Sequence, residues 1–249
     1  MNKLKVGILG NMNENYEPHY TMNNCFRDFQ QNLDFSFEWI PTETLSDNVS
    51  DVLDAYQGII AGSGPYKSKE GVINGIRYAR KNNIPFLGTC SGFGYAVLEF
   101  GQSIFNLDAV YHPYENADLK PEETFLEKLT CCTNGMHTIS FKPIDRTLTN
   151  QVYHKPDMVY EESHCVYGVN VDMVDVFEKE GLIVSGLDDD GEPKIMEYNR
   201  NDFFVITLFL PQLKSDIQNP HPLLTAFFKA VEKRGEEPAA NNGAVVNFT

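Results

Sequence analysis

Gly88-Thr89-Cys90-Ser91-Gly92 sets a cysteine between small residues, where an apolar run from Ile84 to Gly88 gives way to a helical pattern starting near Gly92. This is the pattern of a nucleophile elbow. Glycines permit the sharp strand-to-helix turn, and the turn lifts the side chain clear of the sheet, as G-x-S-x-G does for serine. The positive end of the following helix favours thiolate over thiol. The competing reading is a buried structural cysteine beside a glycine turn. A second residue with suitable chemistry is His19, in Glu17-Pro18-His19-Tyr20 just beyond the first apolar run. That position lies at the carboxyl edge, where α/β sheets place their sites.

The remaining cysteines, Cys25, Cys131, Cys132 and Cys165, form with Cys90 an odd set without CxxC spacing. Neither a disulfide scaffold nor a zinc ribbon is indicated. Cys131 and Cys132 are adjacent, and on a strand they point to opposite faces, so both do not easily join one site. Approach of one of them to Cys90 or Cys165 would support redox or metal chemistry, against plain burial of all three. Asp188-Asp189-Asp190-Gly191 reads as a solvated hairpin turn, with cation binding as the lesser alternative. No metal site and no cofactor is expected.

The elements that must position these residues alternate between short apolar runs and helical patterns, the signature of a parallel sheet covered on both faces. Strands are predicted at Lys5–Leu9, Phe35–Ile40, Gly58–Ala61, Ile84–Gly88, Tyr167–Asn170, Leu182–Gly186, Lys194–Tyr198 and Phe203–Phe209. Helices are predicted at Pro18–Gln31, Ser68–Lys81 with Ser68 as N-cap, Gly92–Phe100 and Pro222–Lys233. Asn106 to Asp157 reads as hairpins and loops laid over one side. One domain over residues 1–235 is expected, followed by an aperiodic, disordered tail over 236–249.

Composition narrows the partners. With 35 acidic and 20 basic residues the chain carries a formal charge of −15, which argues against nucleic acid and anionic membrane. The apolar run after Met1 is too short for a signal peptide, and no run of about 18 apolar residues occurs. A cytoplasmic protein acting on a small molecule is expected, with homo-oligomerisation left open.

Ile76-Arg77-Tyr78-Ala79-Arg80, Ile84 through Gly92, Ala96-Val97-Leu98-Glu99-Phe100, Phe203-Phe204-Val205 and Pro220-His221-Pro222-Leu223 together resemble the amidotransferase domain of CTP synthases. Trp39-Ile40-Pro41-Thr42, Pro65-Tyr66-Lys67-Ser68 and Phe204 through Gln212 are similar to a standalone family, the CTP-synthase C-terminal-region-related (seleno)proteins. The resemblance implies a class I glutamine amidotransferase-like, flavodoxin-like three-layer α/β fold with a mostly parallel central sheet. The nucleotide-binding synthetase half is absent, so CTP formation by this chain alone is not expected.

In active members of that family the cysteine attacks the glutamine amide, a His shuttles the proton and a Glu orients the His. Cys90 matches the nucleophile. The F-H-P-E motif that carries the other two reads Phe209-Leu210-Pro211-Gln212 here, and neither Leu210 nor Gln212 can do the work of the residue it replaces. The resemblance sets Gly92, Phe93, Glu115, Glu162, Leu210 and Gln212 around the substrate pocket. Gly94 stands where the family has a pocket Gln, and Glu162 to Asn170 lacks the arginine that grasps the glutamine carboxylate. An oxyanion hole from the backbone of Ser91 and of the Gly62-Ser63-Gly64 turn survives, because it does not depend on side chains.

Replacement bases are sought in His164, whose loop borders the family's glutamine site, in His19, and less readily in His112. Three functions remain in view. The first is a cysteine-dependent enzyme on a small molecule other than glutamine. The second is a noncatalytic binder of a metabolite or partner, and the third a glutaminase subunit feeding ammonia to a CTP-synthase-like partner.

Overall fold

The computed structural model describes residues 3–113, 124–130 and 135–236. The first half of this region builds the parallel part of one sheet: β1 (Leu4–Leu9), β2 (Phe35–Ile40), β3 (Gly58–Ala61) and β4 (Phe86–Thr89), joined through α1 (Glu17–Phe29), α2 (Val49–Leu53) and α3 (Lys69–Lys81). α4 (Ser91–Phe105) leaves β4 directly. The second half contributes β5 (Leu126–Lys128), β6 (His137–Pro143), α5 (Leu148–Val152), β7 (Val159–Ser163), β8 (Tyr167–Val169), α6 (Val174–Lys179), β9 (Leu182–Leu187), β10 (Pro193–Tyr198), β11 (Phe204–Thr207) and α7 (Pro222–Glu236).

The main sheet runs β2-β1-β3-β4-β11-β10-β9-β6-β7, with β5 and β8 forming a separate pair. β2, β1, β3, β4 and β11 are mutually parallel, and the remaining four strands continue the sheet antiparallel. The parallel strands β3, β4 and β11 are buried along their whole length, as strands covered on both faces must be. Phe86 and Phe204 stack across neighbouring strands of this core, while Phe26 of α1 and Phe35 of β2 pack against Phe228 of α7.

The structure departs from the sequence reading at several elements. Residues 106–157 are not only hairpins and loops, since β5, β6 and α5 lie among them. α4 runs on to Phe105 rather than ending at Phe100, because its cap comes only at Asn106 in the left-handed conformation. The strand at 167 ends at Val169 and joins β5 rather than the main sheet. β11 is confined to Phe204–Thr207, and Glu236, assigned to the tail, closes α7. Residues 237–249 lie outside the described residues. Ser68 does cap α3, its hydroxyl accepting from the Gly71 N–H at 3.0 Å.

Two helices flank the elbow and fix its position. α3 and α4 are clamped by Glu99, which is fully buried and takes Arg80 at 2.8 Å and Arg77 at 3.2 Å. α4 is drawn onto β3 at Gly92, where a Cβ would stand 1.9 Å from the Ala61 carbonyl oxygen. Only glycine permits that approach. Replacing Gly92 by Ala forces β3 and α4 apart and costs about 1–3 kcal/mol. The expected result in thermal unfolding is a Tm lower by about 2–4 °C per kcal/mol; an unchanged Tm would show that the contact is not a packing constraint.

Candidate active site

Cys90 sits between β4 and α4 with φ +54° and ψ −113°, a conformation that L-residues rarely adopt. It is held there from both sides. Its own N–H donates to the Thr207 carbonyl at 2.9 Å, and the Gly92 N–H donates to the Gly62 carbonyl at 3.2 Å. The Tyr66 hydroxyl donates to that same Gly62 carbonyl. The cysteine therefore stands at the carboxyl edge of the parallel strands, 9 % exposed, with the 62–64 turn beside it. A Cβ on Gly62 would meet nothing within 4 Å, so room is left at the turn, whereas one on Gly64 would come within 3.1 Å of the Ser91 hydroxyl.

The group that meets the Cys90 sulfur is another cysteine. A hydrogen bond with the Cys165 side chain is the largest influence on the Cys90 thiol; burial opposes it, and Ser63 and the backbone N–H and hydroxyl of Ser91 add to it. The outcome is a thiol lowered to about 7. Cys25, by contrast, lies in the core, where burial pushes its thiol up to about 11. The Ser91 N–H is directed at the sulfur, and the Gly62 carbonyl accepts from the Gly92 N–H.

Cys165 reaches this position because the end of β7 is tied to the chain leaving β11. The Leu210 N–H donates to the Glu162 carbonyl at 2.9 Å, Ser163 bridges Phe209, and the Ser163 hydroxyl donates to the Leu208 carbonyl at 2.7 Å while accepting from the Cys165 N–H at 3.1 Å. The stretch 207–210 thus bonds Cys90 through Thr207 and carries the Cys165 loop through Leu208, Phe209 and Leu210. Leu210 itself is fully buried, and Gln212 is 4 % exposed, its amide NH2 donating to the Pro18 carbonyl at 3.3 Å. Gln212 anchors the start of α1 rather than an imidazole.

The histidines fall differently from expectation. His19 does reach the carboxyl edge, but its Nε2–H donates to the Ser63 carbonyl at 2.8 Å and its Nδ1 accepts from the Asn13 N–H at 3.1 Å. Both nitrogens are committed, and burial holds the ring below its usual range, so a neutral His19 has no lone pair left to take a proton from Cys90. His164 is half-buried, its Nε2 buried with no hydrogen-bond partner among the described residues, and it is not among the largest influences on the Cys90 thiol. His112 packs against Tyr95 and Tyr167, and its Nε2 lies 3.3 Å from where a Cβ on Gly94 would be. Its ring takes the direction in which a longer side chain at 94 would grow.

Phe93 is fully buried, and Glu162 turns outward to accept from the Thr138 hydroxyl at 3.0 Å. Glu115, Cys131 and Cys132 lie outside the described residues. A buried imidazole–carboxylate pair does exist at His221 and Glu161, 2.9 Å apart, but it joins β7 to the start of α7 against Tyr153 and is not among the largest influences on Cys90. Asp188, in the acidic turn, pairs with the buried Lys194 at 2.8 Å. Among the described residues no group of three or more His, Cys, Asp and Glu is arranged to hold a metal ion, and no helix is long and apolar enough to cross a membrane.

Sequence reasoning missed two further neighbours, Tyr16 and Tyr66. Burial raises both phenols, most strongly Tyr66, and the Cys90 thiolate raises them further, so both stay protonated beside it. Removal of the Cys165 thiol should return Cys90 toward the free value of about 8.5 and slow its alkylation at pH 7 by about tenfold. Cys165→Ser should restore part of the rate through its hydroxyl, and His164→Ala should leave the rate unchanged. Mass-spectrometric rates of carbamidomethylation check this; slowing by His164→Ala with none by Cys165→Ala would contradict it.

Residues 20–230 match the family described as glutamine amidotransferase class-I. The chain is similar to the CTP synthase of Pyrococcus abyssi, 34% identical over 215 residues that make up 82% of this chain and 40% of that one. It is likewise similar to the CTP synthase of Staphylococcus aureus strain NCTC 8325, 32% identical over 208 residues, 79% of this chain and 38% of that one. The chain thus spans about two fifths of the length of these relatives. In fold it is similar to the glutaminase domain of Trypanosoma brucei CTPS with bound acivicin, with a TM-score of 0.83 at 19% identity over 92% of this chain and 94% of that one. A glutamine amidotransferase from Thermotoga maritima superposes with a TM-score of 0.56 at 13% identity, over 95% and 100% of the two chains. A cysteine at the strand-to-helix turn of a sheet with this order, with the family match over residues 20–230, places the chain in the class I glutamine amidotransferase family.

Proposed function

We propose that this protein is a Cys90-dependent enzyme acting on a small molecule other than glutamine, by a mechanism that uses no His–Glu pair. The observation that carries the reading is a cysteine kept in the strained elbow conformation, with its thiol lowered to about 7, beside a fully buried Leu210 in the position of the family's base. A relic would have no reason to keep either the strain or the lowered thiol. Sulfur at this pKa is about half thiolate at neutral pH, so it attacks an electrophile without a general base. The Ser91 N–H would then face negative charge developing near the sulfur.

Glutamine fits poorly. Its leaving amine must be protonated, the task of the missing His, and its carboxylate finds no arginine in the Glu162 to Asn170 loop. The reactions that suit the site are acyl transfer or hydrolysis from an activated carbonyl, and thiol exchange, whose leaving groups depart with little assistance. The expected setting is cytoplasmic, where a free thiol persists.

A noncatalytic binding role is favoured by one observation: both nitrogens of His19 are committed, and no imidazole is among the largest influences on the Cys90 thiol. Paired assays separate the two. Ammonia release from glutamine should be several orders of magnitude below that of a working amidotransferase. Iodoacetamide near neutral pH should alkylate Cys90 ahead of Cys25. A robust Cys90-dependent glutaminase rate would refute the substrate assignment, and a Cys90 as inert as Cys25 would refute catalysis altogether.

A further inference from the structure

Cys90 and Cys165 are in side-chain hydrogen-bond contact, each 9 % exposed, and neither is in a disulfide in the structure. They come from distant parts of the chain, yet the same four-residue strut, Thr207 to Leu210, holds both. Thr207 fixes the Cys90 backbone, and Leu208 fixes the Ser163 hydroxyl on which the Cys165 N–H rests. The two sulfurs are therefore presented to each other by rigid hydrogen-bonded backbone at the edge of a buried sheet. Both cysteines are largely buried, which suits a small oxidant, and a Cβ on Gly62 would meet nothing within 4 Å.

We propose that Cys90 and Cys165 form a peroxide-reactive dithiol, with Cys90 the attacking sulfur and Cys165 the resolving one. The Cys90 thiolate attacks the terminal oxygen of a hydroperoxide; the O–O bond breaks, Cys90 becomes a sulfenic acid, and the alkoxide or hydroxide released takes up a proton. The Cys165 sulfur then attacks the Cys90 sulfur and expels hydroxide, which leaves as water with the Cys165 proton. Two thiols and one hydroperoxide thus give one disulfide, one alcohol or water, and one further water. An external dithiol returns the pair to the reduced state.

Cys165 has a second consequence under this scheme. A lone sulfenic acid at residue 90 would be exposed to further, irreversible oxidation, and the resolving thiol diverts it to a reversible product. The proposal rests on the reading of Cys90 as a reactive nucleophile, and the experiment keeps the two apart.

The full chain is treated with hydrogen peroxide, remaining thiols are blocked, and the protein is analysed by intact mass and peptide mapping, with dimedone present in a parallel sample. Wild type should lose the mass of two hydrogens and yield a peptide pair joining residues 90 and 165, restored by dithiothreitol, with little dimedone adduct. Cys165→Ser, with matched thermal unfolding, should instead carry at least about tenfold more dimedone on Cys90 and progress to the sulfinic acid. Alkylation of Cys90 by iodoacetamide together with equal dimedone trapping in wild type and Cys165→Ser would overturn the dithiol and leave the nucleophile reading standing. Inertness of Cys90 to both reagents would overturn both.

Discussion

One residue is held against its own conformational preference. Cys90 occupies φ +54°, a placement that costs about 1–3 kcal/mol for a residue with a Cβ. The surrounding structure over-determines it. Thr207 takes its N–H, Gly62 takes the N–H two residues on, and Gly92 lets α4 approach β3 to a distance that no side chain would tolerate. The clamp of Glu99 on Arg77 and Arg80 keeps α4 pressed to α3 at the same time. Loosening any of these would let the turn relax and swing the sulfur away from the edge.

The chain leaving β11 ties the two sides of the site together through its backbone. Thr207, Leu208, Phe209 and Leu210 bond the elbow on one side and the Cys165 loop on the other, and a buried Leu210 fills space without accepting a proton. The Cys90 thiol is lowered by a second thiol, by serine hydroxyls and by the first N–H of a helix. All of these are neutral groups, and neutral donors lower a thiol without adding positive charge to a strongly acidic chain.

The elbow was legible from sequence because its requirements are local: glycines at 88 and 92, an apolar run before and a helical pattern after. The buried strands β1, β3 and β4 were legible for a similar reason, since apolar runs bounded by turn residues have few other readings. α2, α5 and α6 were missed because helices of five or six residues show less than two turns of periodicity. Cys165 was hidden for a different reason. Its proximity to Cys90 depends on β7 and the 207–210 stretch meeting across the sheet, and sequence reasoning reached the right loop but chose His164, one residue away. His19 was placed correctly at the edge, but the hydrogen bonds that commit both ring nitrogens come from Ser63 and Asn13, and only their folded positions reveal it.

Ionisation of Cys90 at neutral pH, without an imidazole partner, separates a live nucleophile from a relic. The ultraviolet absorbance of thiolate, followed through a pH titration of the reduced protein and of its Cys90→Ser variant, measures this directly. The difference between them should trace a single transition with a midpoint of about 7. A midpoint at or above the free-cysteine value of about 8.5 would mean that the contacts at the elbow do not activate the thiol, and the reading of a live nucleophile would fall.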